Sequence, residues 1–436
     1  MNNSLISCDR KIVWIDFLKN SDNLIPLKYA VRINPEVLPE SSSPELVIQY
    51  IDIGSVQSTG DISEINQLNF AEAPSRARRK LSKGNTLVST VRTYLKAITY
   101  IEKNTPNLIA STGFAVLVPH EKVLHEKYLY YWMRSSFVID EICARSVGVS
   151  YPATNATEIG SIPIPIIPLE QQCLIAQFLD RKTAAIDALI AKKQRLIELL
   201  EEKRSALINQ AVTKGLDLAV RMKDSGIPWV GEIPEHWSLL KLKRSCKKIT
   251  DGEHISPDCL DEGVPLLSAK DVGDRTINYK VEKFLSLDDA LQSRKRCNPE
   301  CGDVLMVSRG ATIGRVALVE DQTIFCLMGS VILLKPGKGL DSLFLYFLLK
   351  NTTLKQELLL TSASSAQQAI YLVDIADLYI QLPSQEEQKK ISEYLNTMEL
   401  STNRAIHLIK SQIEKLQEYR QSLITAAVTG KLPIPD

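Results

Sequence analysis

A repeat about half the chain long governs what this sequence can fold into. The segment from Gln172 to Thr213 aligns without gaps on Gln388 to Thr429, with 14 identities in 42 positions, among them Ile175 with Ile391, Leu179 with Leu395, Glu198 with Glu414 and Arg204 with Arg420. Both copies close on Ala-Val-Thr, and neither contains an internal Pro or Gly. Apolar residues recur in each at spacings of three, four and seven, the signature of one helical face. In the first copy they are Leu179, Ile186, Ile190, Ile197, Leu200, Leu207 and Ala211; in the second, Ile406, Ile409, Ile413, Leu416 and Leu423. A stripe averaging about 3.5 residues is a coiled-coil seam. At about 1.5 Å per residue each helix runs for roughly 60 Å. Helices in globular domains average about 11 to 12 residues, so these two read as spacers.

Proline marks the entry to each rod. The run from Ser161 through Pro163 and Pro165 to Pro168 is extended, because each proline pushes its predecessor out of the helical region, and Glu170 then places negative charge in a first turn. Leu382, Pro383, Ser384, Gln385 and Glu386 repeat that chemistry, and Asp224 to Pro234 breaks helix again after the first rod. A weaker repeat reaches into the flanking segments. Lys83 to Arg92 resembles Cys301 to Arg309, Thr112-Gly113 resembles Met328-Gly329, and Tyr128 to Trp132 resembles Phe344 to Leu348. Short Val, Ile and Leu runs broken by Gly, Asp and Asn predict strands, while 126–136 and 342–351 predict helices. The expected fold class is α+β: two similar mixed globules separated by two long helices forming an antiparallel coiled coil. The expected boundaries are 1–168 and 217–383 for the globules, 169–216 and 384–436 for the rods.

Composition narrows the function. Hydrophobic residues at 44% and charged residues at 24% suit a globular protein. No run approaches about 18 uncharged apolar residues and the start carries no apolar core of signal-peptide length, which predicts a cytoplasmic chain without a membrane span. Eight cysteines without a dense framework predict free thiols. A formal net charge of +1 does not by itself point to nucleic acid. Charge is locally segregated, however: Pro74 to Gly84 holds Arg76, Arg78, Arg79, Lys80 and Lys83 with no acid. A solvated loop or helix face explains that run equally well. No P-loop pattern occurs, and Lys270 has no acid two residues before it to complete a nuclease core. Cys297 and Cys301 approach zinc-finger spacing without a second pair nearby, so no metal site is expected.

Taken together, these motifs resemble the specificity subunits of type I restriction-modification systems. Ser225 to Trp237 is similar to the lead-in of their recognition domains, and Pro168-Leu169-Glu170-Gln171-Gln172 with the Ala-Val-Thr helix ends is similar to their spacer helices. The chain has no Asn-Pro-Pro-aromatic run of the kind that holds a target base in amino-methyltransferases. The N-terminal stretch from Met1 to Asn23 has no counterpart of the lead-in. The resemblance implies a non-catalytic subunit that binds double-stranded DNA, each globule reading one half of a split site. It also implies methyltransferase subunits that bring S-adenosylmethionine and restriction subunits that bring ATP hydrolysis with Mg, and no cofactor in this chain. The alternative is a coiled-coil scaffold whose globules bind other proteins.

Reading bases takes side chains that reach base edges, Arg or Lys to guanine and Asn or Gln to adenine. Two polar, turn-like segments supply candidates: Ser150, Tyr151 and Asn155 in the first globule, Ser365, Gln367 and Gln368 in the second. Arg92 and Arg309 follow the matched turns within reach of phosphate or guanine, with a salt bridge as an equal alternative. Asp251-Gly252-Glu253-His254 resembles a loop of some family members and makes His254 a candidate, although a lone histidine is more often structural. Arg76, Arg79, Lys80, Lys270, Arg294 and Arg296 are the candidates for phosphate.

Overall fold

The computed structural model describes residues 23–148, 150–254, 259–361 and 369–434. They fall into two compact units: one holds the chain up to Lys193 together with Lys410 onward, the other Gln194–Ile409. The long helices span Leu169–Lys214 and Gln385–Val428, and each contributes to both units. Among the described residues no helix is long and apolar enough to cross a membrane.

In the first unit, a four-stranded antiparallel sheet has the order Val31–Ile33, Phe114–Pro119, Thr86–Ser89, Ile98–Tyr100. A second four-stranded sheet runs Asn66–Asn69, Val47–Ile51, Leu108–Ser111, Ala77–Lys80, with its central pair parallel. Thr86–Ser89 and Leu108–Ser111 are buried on both faces, which is why they show no polar-apolar alternation. The helices Glu126–Met133 and Ser136–Ala144 bury Tyr128, Trp132 and Val138 in a core shared with Leu179 and Ile186 of the first long helix and Ile424, Ala427 and Val428 of the second.

The second unit repeats this topology. Its main sheet runs Cys246–Asp251, Val331–Pro336, Val304–Val307, Val316–Leu318, and a smaller sheet runs Phe284–Leu285, Val264–Leu267, Cys326–Leu327. The helices Ser342–Leu349 and Thr352–Thr361 follow, and the core takes in Ile208, Ala211, Val212, Ile391 and Leu395 from the long helices.

The sequence repeat becomes a repeat of individual bonds, offset by 216 residues. Gln172 is fully buried; its Oε1 accepts from the His125 N–H at 2.8 Å, and its Nε2 donates to the carbonyls of Val123 (3.0 Å) and Ile167 (2.7 Å). Gln388, equally buried, accepts from the Asp341 N–H at 2.8 Å and donates to Gly339 and Pro383, each at 3.0 Å. One amide thus satisfies three backbone groups at each rod entry. Near the other end of each rod, the Ser136 N–H donates to Thr425 Oγ1 at 3.0 Å, and the Thr352 N–H donates to Asn209 Oδ1 at 3.0 Å.

Inside each unit the long helices run antiparallel. Asp187 accepts two bonds from Arg420 (2.9 and 3.1 Å), and Lys193 Nζ meets Gln412 Oε1 at 2.6 Å. In the second unit Arg204 Nη1 donates to Asn403 Oδ1 at 2.7 Å. Asn403 stands in the repeat where Asp187 does, and Arg204 where Arg420 does. The seam is the striped face, with Ile186, Ile208, Ile406, Ile413 and Leu423 buried, while Leu196 and Leu199 are exposed.

Candidate nucleic-acid interface

One sheet end of the first unit brings several of the base-contact candidates together. In the first unit the strand Thr86–Ser89 runs on to Val91, which bridges Ala153, while the Thr154 N–H donates to the Thr90 carbonyl at 2.7 Å. Thr90 in turn donates to the Gly113 carbonyl through its N–H (2.8 Å) and its hydroxyl (2.9 Å), and Thr93 Oγ1 lies 2.8 Å from Ser146 Oγ. These bonds fasten the turn at Arg92 to Ser146, Ala153 and Thr154. Arg92 itself is left-handed, φ 49° and ψ 47°, a conformation that costs an L-residue about 1 to 2 kcal/mol. Its guanidinium carbon lies 4.9 Å from the centroid of the Tyr151 ring, and Tyr151 is 64% exposed. Ser150 is exposed beside them. Asn155 Oδ1 accepts from the Glu158 N–H at 2.9 Å and caps the short helix Ala156–Gly160.

The matching end of the second unit uses other side chains on the same frame. Arg309 bridges Ala369, and the Ile370 N–H donates to the Ser308 carbonyl at 2.8 Å. The two turns are therefore out of step by one residue with the pairing of Arg92 and Arg309. Arg309 occupies the place of Val91, and the place of Arg92 belongs to Gly310, whose φ is +92°. His254 packs on Gly329, whose N–H donates to the Glu253 carbonyl at 2.6 Å. Its Nε2 lies 2.8 Å from Asp251 Oδ2, and Arg296 Nη2 meets Asp251 Oδ1 at 2.6 Å. Ser365, Gln367 and Gln368 lie outside the described residues.

The phosphate candidates are dispersed. Arg76 Nη2 pairs with Asp52 at 2.9 Å and its Nε donates to the Tyr50 hydroxyl; the Tyr50 bond and the Asp52 charge raise its pKa. Arg79 lies on the strand Ala77–Lys80, half-buried, and desolvation lowers its pKa. Lys80 is exposed. Lys270 pairs with Glu282 at 3.2 Å, and Arg294 donates to the carbonyls of Phe325 (2.7 Å) and Pro299 (3.3 Å). Lys96, left-handed at φ 56° and exposed near Arg92, is a residue that spacing does not pick out; backbone hand leaves no trace in a lysine's sequence context. Burial pushes the Cys297 thiol up to about 12, which keeps it protonated. Among the described residues no group of three or more His, Cys, Asp or Glu is placed to hold a metal ion.

The family of type I restriction modification DNA specificity domains matches the chain twice, over residues 48–199 and 248–415. Among curated relatives, the type I restriction enzyme MjaVIII specificity subunit of Methanocaldococcus jannaschii is 26% identical over 336 residues, covering 75% of both chains. The putative type I restriction enzyme MjaX specificity subunit of the same organism is 24% identical over 388 residues, covering 86% of this chain and 84% of the relative. Two solved structures share the fold. A chain from a structure addressing complex assembly and conformational transition of the type I R-M system gives a TM-score of 0.67 at 24% identity, over 94% of this chain and 98% of that one. The HsdS subunit from Thermoanaerobacter tengcongensis gives 0.51 at 22% identity, over 94% and 97%. Two matched domains joined by a repeated helix, and together spanning more than half of the sequence, place this chain in the type I restriction-modification DNA specificity family.

Proposed function

We propose that this chain is the DNA-binding specificity subunit of a type I restriction-modification complex, each globule reading one half of a bipartite, asymmetric site in double-stranded DNA. The observation that carries the reading is the pair of matched sheet ends. The same bridge, Val91 to Ala153 and Arg309 to Ala369, carries Arg92 with Tyr151 in one unit and Arg309 in the other. A constant frame bearing different side chains is what two readers of unlike half-sites need. The long helices set the unread gap and dock methyltransferase subunits. Methylation with S-adenosylmethionine belongs to those partners, and cleavage with ATP and Mg to restriction subunits, in the cytoplasm.

A protein-binding scaffold is the second reading. It is favoured by the charge balance, since Arg76, Lys270 and Arg296 are each already paired with an acid. Binding to mixed-sequence duplex across a salt series, with and without methyltransferase subunits, separates the two. Phosphate contact makes affinity fall with salt; affinity indifferent to salt supports the scaffold. A helix extension tests the spacer role. Seven residues added after both Ile197 and Ile409 preserve the seam period and the contacts of Asp187, Lys193 and Arg204. They lengthen the helices by roughly 10 Å. Mapped adenine methylation is expected to show a longer gap between unchanged half-sites, and an altered half-site at constant gap would assign the helices another role.

A further inference from the structure

The position of Arg92 is one that its sister unit gives to glycine. Gly310 takes φ +92° without a side chain to strain, whereas Arg92 holds φ 49° with one. Such strain persists only where surrounding bonds over-determine it, and it gathers where a side chain acts. The bonds are present: Val91 to Ala153, Thr154 to Thr90, and Thr93 to Ser146. We propose that Arg92 reads a guanine in the half-site of the first unit, with Tyr151 as the platform that holds its guanidinium. This rests on the DNA-reading function proposed above and adds to it the base and the residue.

Three observations favour a base over a phosphate. Among the described residues the Arg92 side chain has no hydrogen bond or ion pair, unlike Arg76, Arg294 and Arg296. Its guanidinium carbon lies 4.9 Å from the centroid of the Tyr151 ring, and among the described residues none of its five N–H donors is taken up by a hydrogen bond. A phosphate accepts donors from many directions, whereas guanine O6 and N7 require a planar fork held at one angle, and a ring contact at a strained turn supplies that restraint. Lys80 and Lys96, both exposed, carry point charges that meet the DNA backbone without a fixed fork. Because Gly310 carries no side chain, the second half-site is not read from this position.

The test uses the full chain with its methyltransferase subunits. The probes are a duplex carrying the site found by mapping methylated adenines, and variants with each G·C pair replaced in turn. In the unaltered complex, replacing one G·C pair in one half-site is expected to weaken binding roughly ten- to a hundred-fold. Arg92→Gly, which copies the second unit and relieves the strained φ, should fold with an equal or higher melting temperature. It should lose that same factor on the intact duplex and nothing more on the replaced one. Arg92→Lys should lose most of the factor, since an ammonium cannot fork; Tyr151→Phe should keep it and Tyr151→Ala lose part. Equal weakening of every duplex by Arg92→Gly, with a shallower salt slope, would make Arg92 a phosphate contact and overturn the proposal. So would a half-site pair in which no G·C replacement matters. An unaltered complex that binds all duplexes alike would overturn the DNA-reading function itself, and this inference with it.

Discussion

The two units share a scaffold bond for bond yet secure the root of the long helices differently. In the second unit Glu399, 1% exposed, accepts from Lys350 Nζ at 2.6 Å, from Arg275 Nη1 at 3.2 Å and from the Tyr346 hydroxyl at 3.3 Å. Its counterpart in the repeat, Thr183, is a neutral side chain that donates to the Leu179 carbonyl at 2.8 Å and lies 3.2 Å from the Tyr131 hydroxyl. The first unit moves its charge to a more solvated place: Asp180, 36% exposed, takes Lys127 at 2.6 Å and Tyr131 at 2.8 Å. A cleft of about 820 Å³ opens there, lined by Tyr100, Tyr130, Tyr131 and Asp180. Repeated geometry therefore does not imply repeated energetics. A buried carboxylate is tolerated only with partners, while a pair nearer to solvent gains less.

The largest expected difference lies at this root. Glu399→Ala removes the buried acceptor that Arg275, Lys350 and Tyr346 share, while Glu320 still pairs with Arg275 and Asp274 with Lys350, and is expected to cost about 2 to 3 kcal/mol. Asp180→Ala, at a half-buried pair, is expected to cost less, about 1 kcal/mol. Urea midpoints of the two variants against the unaltered chain make the comparison. Similar losses would mean that both roots are held by the apolar core and that the charges are incidental.

The buried glutamines should behave alike, because their three bonds match atom for atom. Gln172→Ala and Gln388→Ala each leave one N–H and two carbonyls of the rod entry without partners. The expected cost is about 1 to 3 kcal/mol for either. Unequal losses, measured in the same denaturation series, would show that one entry finds water or another donor and would restrict the bond-level repeat to geometry.

Local periodicity is what made the rods legible: a 3.5-residue stripe, uninterrupted by Pro or Gly, needs no tertiary partner to be read. Gln172 was visible as an identity, but its role required knowing that Val123 and His125 lie beside the helix start. Strands such as Leu108–Ser111, buried on both faces, lack alternation, so sheet order was out of reach. At the candidate interface, the sequence match pairs Arg92 with Arg309, one residue out of step with the fold, since the left-handed turn that aligns Arg92 with Gly310 is a backbone property. Asn155 was readable otherwise: Asn followed three residues later by Glu158 is a helix-start pattern, and its side chain is used there.

The smallest effect concerns the seam itself. Arg420 meets a carboxylate at Asp187, and Arg204 meets an amide at Asn403, although the four residues are two copies of one contact. Asn403→Asp would make both contacts ionic. The gain is limited because Arg204 already has Asp274 at 4.0 Å, and Asp274 is half exposed. A stabilisation of about 0.3 to 1 kcal/mol is expected at low salt. It should fade near 1 M salt, where the screening length is about 3 Å. Asp187→Asn should lose a similar amount with the same salt dependence, because it turns the first contact into the second. Urea midpoints at low and high salt for the two single variants and the double exchange measure both terms. In the exchange, gain and loss should cancel if the contacts are as alike as the repeat makes them. A residual difference would measure how far Asp274 has already taken the part of a second carboxylate.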